Sequence, residues 1–245
     1  MQAIAFAGRN RRELIRDPLT VAFGLGFPLV LLYLLSAIQR NVPVELFAVD
    51  RLAPGAASFG LTFIALFSAM LISRDRSQSF MMRLCASPMR AADFILGYLL
   101  PMLPIAAAQI AICYLAAAPL GFSLNLRALV SLLSLLPAAV LYIAIGLLCG
   151  TLLTDKQVGG VCGAALTNIC AWLSGVWFDL ELLGKGFKSV CNGLPFASAV
   201  SAARAAVSGN YAGMVQPLLI VSAYTAALMA IAVLVFHRRM KTGRL

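Results

Sequence analysis

Apolar residues in this chain come in long blocks. They run almost unbroken over residues 19–38, 55–72, 91–118, 126–153, 158–176 and 214–236, with short polar stretches between. A helix needs about twenty apolar residues, each rising about 1.5 Å, to cross about 30 Å of hydrocarbon. Because lipid leaves backbone polar groups no water to bond, such runs cross as helices. The pattern therefore predicts an all-α integral membrane protein, with six transmembrane helices forming a single domain over residues 1–245.

Three segments break the block pattern. Residues 1–17 mix Ile4, Phe6, Leu14 and Ile15 with Arg9, Arg11, Arg12 and Arg16. Charges stand where a secretory signal has its apolar core, so this stretch reads as an interfacial helix lying in the headgroup layer. Pro18 then opens the first crossing at a helix position where a missing N–H is tolerated.

The second segment, residues 73–90, carries four arginines, yet Phe80, Met81 and Leu84 fall at i, i+1 and i+4. That spacing predicts a short amphipathic helix. Asp75 and Ser77 suit its first turn, and Pro88 marks its end. A helix this short is not stable alone in water, so its apolar face needs a partner surface.

The third segment, residues 177–208, is only half apolar, with Asp179, Glu181, Lys185, Lys188 and Arg204 among Phe187, Val190, Leu194, Phe196 and Val200. Pro195 divides it, and neither half is long enough to cross. An external amphipathic loop and a pair of short helices that dip into the membrane and return both fit that pattern.

Within the spans, Gly24 and Gly26, Gly146 and Gly150, and Gly159 and Gly163 supply small surfaces for close helix approach. Pro101 and Pro104 predict a bend in the third span. Few polar groups reach mid-membrane. Gln109 should face another helix or a water-filled route, while Thr167 and Asn168 mark either a seam between subunits or bonding within their own helix.

Composition agrees with the pattern: 62% of residues are hydrophobic and 11% charged, against roughly a quarter charged in soluble domains. The net charge of +10 does not point to nucleic acid. With both ends in the cytoplasm, thirteen of the nineteen basic residues fall on that side, as the positive-inside rule requires. The basic excess then faces anionic lipid and any cytoplasmic partner.

The six cysteines form no C-x-x-C pair, and the single histidine, His237, sits in a basic tail. Neither feature supports a metal site. The chain has no G-x-x-x-x-G-K-[ST] phosphate loop and no H-E-x-x-H. No ionisable group falls centrally in a span, where a proton- or sodium-driven carrier keeps its coupling residues. A membrane protein built this way takes its energy from a partner.

The order Asp75-Arg76, Ser79, Arg83-Leu84, Ser87-Pro88 resembles the pattern that follows the second span in ABC-2-type permeases, the membrane subunits of ABC exporters. Gln78 and Met82 stand where that pattern usually has Gly and Glu. The resemblance implies that residues 73–90 are a coupling helix seated in a separate ATPase subunit. Arg74, Asp75, Arg76, Phe80, Arg83 and Leu84 would make the contact. It further implies two ATPase copies carrying ATP and Mg, a second permease subunit, identical or not, and a plasma (inner) membrane location. The segment 177–208 would then be a re-entrant helical pair turning at Leu194-Pro195. The expected cargo is an amphipathic, drug-, lipid- or peptide-like solute. A non-transporting scaffold or sensor subunit and a secondary drug exporter are the alternatives.

Overall fold

The computed structural model describes residues 2–15, 18–41, 47–77, 91–177, 180 and 184–241. All regular structure among them is helical. The elements are α1 (Gln2–Ile15), α2 (Pro18–Gln39), α3 (Val49–Ser77), α4 (Ala91–Ala117) and a 3₁₀ turn (Ala118–Leu120). After them come α5 (Leu126–Leu152), α6 (Asp155–Val158), a π-helix (Gly159–Leu166), α7 (Thr167–Leu173), α8 (Lys185–Gly193), α9 (Pro195–Ser208) and α10 (Tyr211–Lys241).

Helix α3 is the axis of the bundle. Every residue from Leu52 to Ala65 is buried, as expected of a helix that is apolar all round. Around it lie α2, α4, α5, α9 and the π-helix. Glycine permits the closest of these approaches. A Cβ on Gly150 would stand 2.6 Å from the Ala69 carbonyl oxygen, and one on Gly146 would collide with that of Ala65. The spacing of these two glycines in the sequence thus serves the α3–α5 contact. Gly24 of α2 has a similar role, its missing Cβ leaving room for the Phe67 ring.

Among the described residues, five helices are long and apolar enough to cross a membrane, over Ala22–Gln39, Val49–Ser77, Asp93–Leu120, Leu126–Leu152 and Tyr211–Arg239. The sequence predicts six spans, and the difference lies at residues 158–176. There the chain runs through α6, the π-helix and α7 without a gap, but no single helix in it reaches crossing length. The three glycines at 159, 160 and 163 explain the interruption: with little side chain to lock the α ladder, the backbone adopts the wider register. Thr167 reinforces it by donating to the Cys162 carbonyl, five residues back, at 3.3 Å.

A second difference concerns the boundary of the second span. Helix α3 continues to Ser77, so Arg74, Asp75 and Arg76 occupy its last turn and do not open a new helix. Residues 78–90, with Phe80, Arg83 and Leu84, lie outside the described residues. Helix α4 is continuous through Pro101 and Pro104.

The segment before α10 forms two short helices, α8 and α9, that meet at Leu194-Pro195. Leu194 is extended (φ −90°, ψ 146°) and Pro195 takes the first helical position of α9, where its fixed φ fits and its missing N–H has no partner to lose. Helix α9 buries Ala199, Ala202, Ala203 and Ala206 among α5, α10 and α3. It closes at Gly209, whose φ of +79° is the left-handed conformation that favours glycine.

Candidate coupling junction

The C-terminal end of α3 is where charge gathers inside the bundle. Asp75 is buried, and its two carboxylate oxygens accept from both arms of the Arg9 guanidinium, at 2.8 and 2.9 Å. This two-bond fork matches the planar geometry of both groups. Tyr98 of α4 donates its hydroxyl to the same carboxylate at 2.9 Å. One buried side chain on α3 thus joins α1 to α4.

The local sequence of α1 explains why Arg9 reaches that place. Phe6, Arg9, Asn10 and Glu13 share one helix face at spacings of three and four. Phe6 packs edge-on to Tyr98 with ring centroids 5.0 Å apart and lies over Gly97, where any side chain would collide with it. Asn10, fully buried, donates to the Gly97 carbonyl at 3.1 Å. Glu13 adds an ion pair to Arg9 at 2.9 Å. Partial burial works against the Arg9 charge, but the hydrogen bond and charge of Asp75 outweigh it and raise its pKa. The expected interfacial helix is therefore clamped to the bundle on one face.

The next residue along, Arg76, points to α5. Its Nη1 donates to the carbonyls of Gly150 and Leu153, at 2.8 and 3.0 Å. Arg239 of α10 donates to the neighbouring Thr151 carbonyl at 3.0 Å. The last carbonyls of a helix lack partners within it and carry partial negative charge, so two guanidinium groups satisfy the end of α5. Ser73 completes the junction by bonding the Asp155 carboxylate at 2.9 Å, just past the turn. Thr154 and Gln157 form a capping box at the start of α6. Arg74 is half-buried.

The mid-membrane polar residues behave differently. Gln109 is buried and donates weakly to Ala57 O and Cys113 Sγ, each at 3.4 Å. It occupies the room left by Gly60, and its Oε1 has no partner among the described residues. Thr167 and Asn168 bond within their own helical run, Asn168 to the Ala164 carbonyl at 2.9 Å. Asn168 is nevertheless exposed, beside Ile169 and Trp172.

At the opposite end of α3, Arg204 of α9 donates to the carbonyls of Arg51, Gly175 and Val176 at 3.0, 3.0 and 3.3 Å. It fastens the start of α3, the chain after α7 and helix α9 together.

The joints of Arg9, Tyr98, Asn10 and Arg239 do not follow from motif spacing. One signal for the first was present: the face Phe6-Arg9-Asn10-Glu13 is too mixed for a helix that only floats on lipid.

These features define a polytopic helical membrane protein whose second span is fixed at both ends. The ABC-2 type transporter family matches residues 1–207. The chain belongs to that family, and the match takes in every element from α1 almost to the end of α9. It is thus a multi-pass transporter permease of the kind that works with an ABC ATPase. A comparison with curated proteins gave no match.

Proposed function

We propose that this chain is the permease subunit of an ATP-driven exporter, paired with a second permease and served by two copies of a separate ATPase. The ATPase holds ATP and Mg, and its closure pulls on the segment after α3. Phe80 and Leu84 fill an apolar slot on it, while Arg74 and Arg83 meet its carboxylates. Asp75 and Arg76 act one step inward, fixing the root of that segment to α1, α4 and α5. The cargo leaves the cytoplasm and is amphipathic: a drug, a lipid or a hydrophobic peptide. Gln109, Thr167 and Asn168 are the polar groups available to its route or to a seam with the second permease. Both termini are cytoplasmic, in the plasma (inner) membrane, and α8 and α9 re-enter the outer leaflet.

The observation that carries this reading is the joint at Asp75. Force applied just after Ser77 meets a rigid cluster of three helices, so the spans move as bodies. A loop that merely rested on lipid would need no such root.

The test is co-purification with a candidate ABC ATPase in detergent, followed by ATP hydrolysis and export in vesicles. A stable complex in which Phe80→Ala and Leu84→Ala lower coupled export, while the chain stays folded, is the expected result. Absence of a complex, or export indifferent to both changes, would favour a scaffold subunit.

A further inference from the structure

Arg76 spends only part of its guanidinium on the protein. Both hydrogens of Nη1 are committed, one to the Gly150 carbonyl at 2.8 Å and one to that of Leu153 at 3.0 Å. Nε is buried and has no hydrogen-bond partner among the described residues, a state that native structures rarely leave unexplained. Nε and Nη2 share the edge of the guanidinium turned away from Nη1. Such an edge takes a carboxylate or a phosphate through two parallel bonds.

A second guanidinium stands beside the first. Arg239 of α10 donates to the Thr151 carbonyl at 3.0 Å, next in the chain to the Gly150 carbonyl that Arg76 holds. Two whole positive charges are thus drawn to one helix end, whose own dipole supplies about half a negative charge. The nearest carboxylates already have bonds elsewhere: Asp155 to Ser73 at 2.9 Å, and Asp75 to Arg9 and Tyr98. On the side that the positive-inside rule makes cytoplasmic, the other acids are Glu13, Asp17 and Asp93, against thirteen basic residues. The balancing anion therefore comes from outside the chain.

The surroundings indicate which anion. Just inside the two arginines, the same helices expose apolar side chains: Leu152 on α5, and Ile231 and Leu234 on α10. Leu234 is five residues from Arg239, about 7.5 Å along a helix. Cations at the end of a span with lipid-facing apolar residues beneath them match a phospholipid, phosphate over acyl chain.

We propose that Arg76 and Arg239 form a headgroup site for an anionic phospholipid of the cytoplasmic leaflet. Arg76 is half-buried, so a phosphate meets the outer end of its unused edge, Nη2, and finds Nε beside it. Arg239 approaches the same phosphate from α10. The lipid joins the ends of α3, α5 and α10 through one anion. It is a resident of the fold and not cargo, and the assignment stands whether or not the chain transports.

The test titrates the full chain, delipidated in mild detergent, with phosphatidylglycerol or phosphatidylcholine and counts bound lipid by native mass spectrometry. The expected result is one tight phosphatidylglycerol, preferred over phosphatidylcholine. Arg76→Gln combined with Arg239→Gln should weaken it roughly 25-fold, about fivefold for each basic residue near an anionic surface. Arg11→Gln combined with Arg12→Gln removes the same charge from exposed positions on α1 and should leave the tight lipid in place. Arg76→Lys with Arg239→Lys should keep the anionic preference at lower affinity, which separates lost charge from lost fold. A further measurement needs no variant: phosphatidylglycerol with a diazirine in its headgroup should label peptides covering residues 150–153 and 236–241. Equal losses in the two glutamine pairs, equal affinity for both lipids, or labelling elsewhere would overturn the site. Displacement by inorganic phosphate that binds as tightly by itself would make it a free-phosphate site instead. Unchanged lipid binding with loss of ATPase co-purification in the Arg76 and Arg239 variant would make it a protein contact, and the lipid assignment would fall.

Discussion

Arg9 and Asp75 stand 66 residues apart in the chain and meet through two parallel hydrogen bonds. Their exposure is unequal: the Asp75 side chain is 1% accessible and that of Arg9 34%. Removing one member of a buried pair strands the other, and the cost follows burial. Arg9→Ala leaves a buried carboxylate with only the Tyr98 hydroxyl, and should destabilise the chain by about 3 kcal/mol. Asp75→Ala leaves an arginine that still has Glu13 and water within reach, and should cost less, about 1–2 kcal/mol. The double variant should recover part of the loss. A double-mutant cycle measured by SDS titration of the purified chain checks the order, and additive losses would count against a direct pair. Arg9→Lys should rescue only partly, because an ammonium cannot present two parallel donors.

Tyr98 tests whether the joint holds α4 as well as α1. Tyr98→Phe keeps the ring on Phe6 and removes only the hydroxyl that donates to Asp75. A bond to a carboxylate contributes about 1.5–3 kcal/mol, so a loss in the lower part of that range is expected. Hydrogen exchange should quicken at the start of α4 and in α1 while the centre of α5 keeps its protection. Uniform loosening would mean that the hydroxyl acts on global packing instead.

Much of this architecture is legible in the sequence because lipid imposes a coarse rule: apolar blocks become helices. The α3–α5 contact at Gly146 and Gly150 and the helix break at Leu194-Pro195 follow from residues with strong steric preferences. Two features do not follow. Residues 158–176 have the composition of a span, but glycines 159, 160 and 163 give a π register that a block count cannot register. Asp75, read by its neighbours in sequence, suits the first turn of a new helix. Its true partners, Arg9 and Tyr98, lie on other helices, and only tertiary structure extends α3 to take it in. The contact residues beyond Ser77 remain a matter of motif.

Arg76 carries a separate prediction, since its one nitrogen serves two carbonyls at the end of α5. Arg76→Ala should cost about 1–2 kcal/mol, the range for two modest bonds in which water replaces part of the loss. Because Arg239 still holds Thr151, the damage should stay local. Amide exchange in residues 150–158 should accelerate, and Arg76→Lys should restore part of the protection by placing a charge near the same helix end. Unchanged exchange there would show that Arg239 alone suffices.

The glycines offer a comparison in which the same substitution has opposite outcomes. A Cβ at Gly150 would lie 2.6 Å from the Ala69 carbonyl oxygen, 2.9 Å from Ile72 Cβ and 3.0 Å from Ala69 Cα. Those atoms are backbone or its first side-chain carbon, and Ala69 and Ile72 are themselves fully buried, so nothing nearby can yield cheaply. Gly150→Ala should therefore destabilise by about 1–3 kcal/mol, the usual cost of overpacking. At Gly159 no atom lies within 4 Å of an added Cβ, and alanine favours a helix over glycine by up to about 1 kcal/mol. Gly159→Ala should be neutral or stabilising in the isolated chain. The two variants, compared by thermal unfolding in one detergent, separate steric crowding from helix propensity. If Gly159→Ala instead destabilises as much as Gly150→Ala, the open side of the π-helix is covered in the purified protein, and a second subunit is the first occupant to seek.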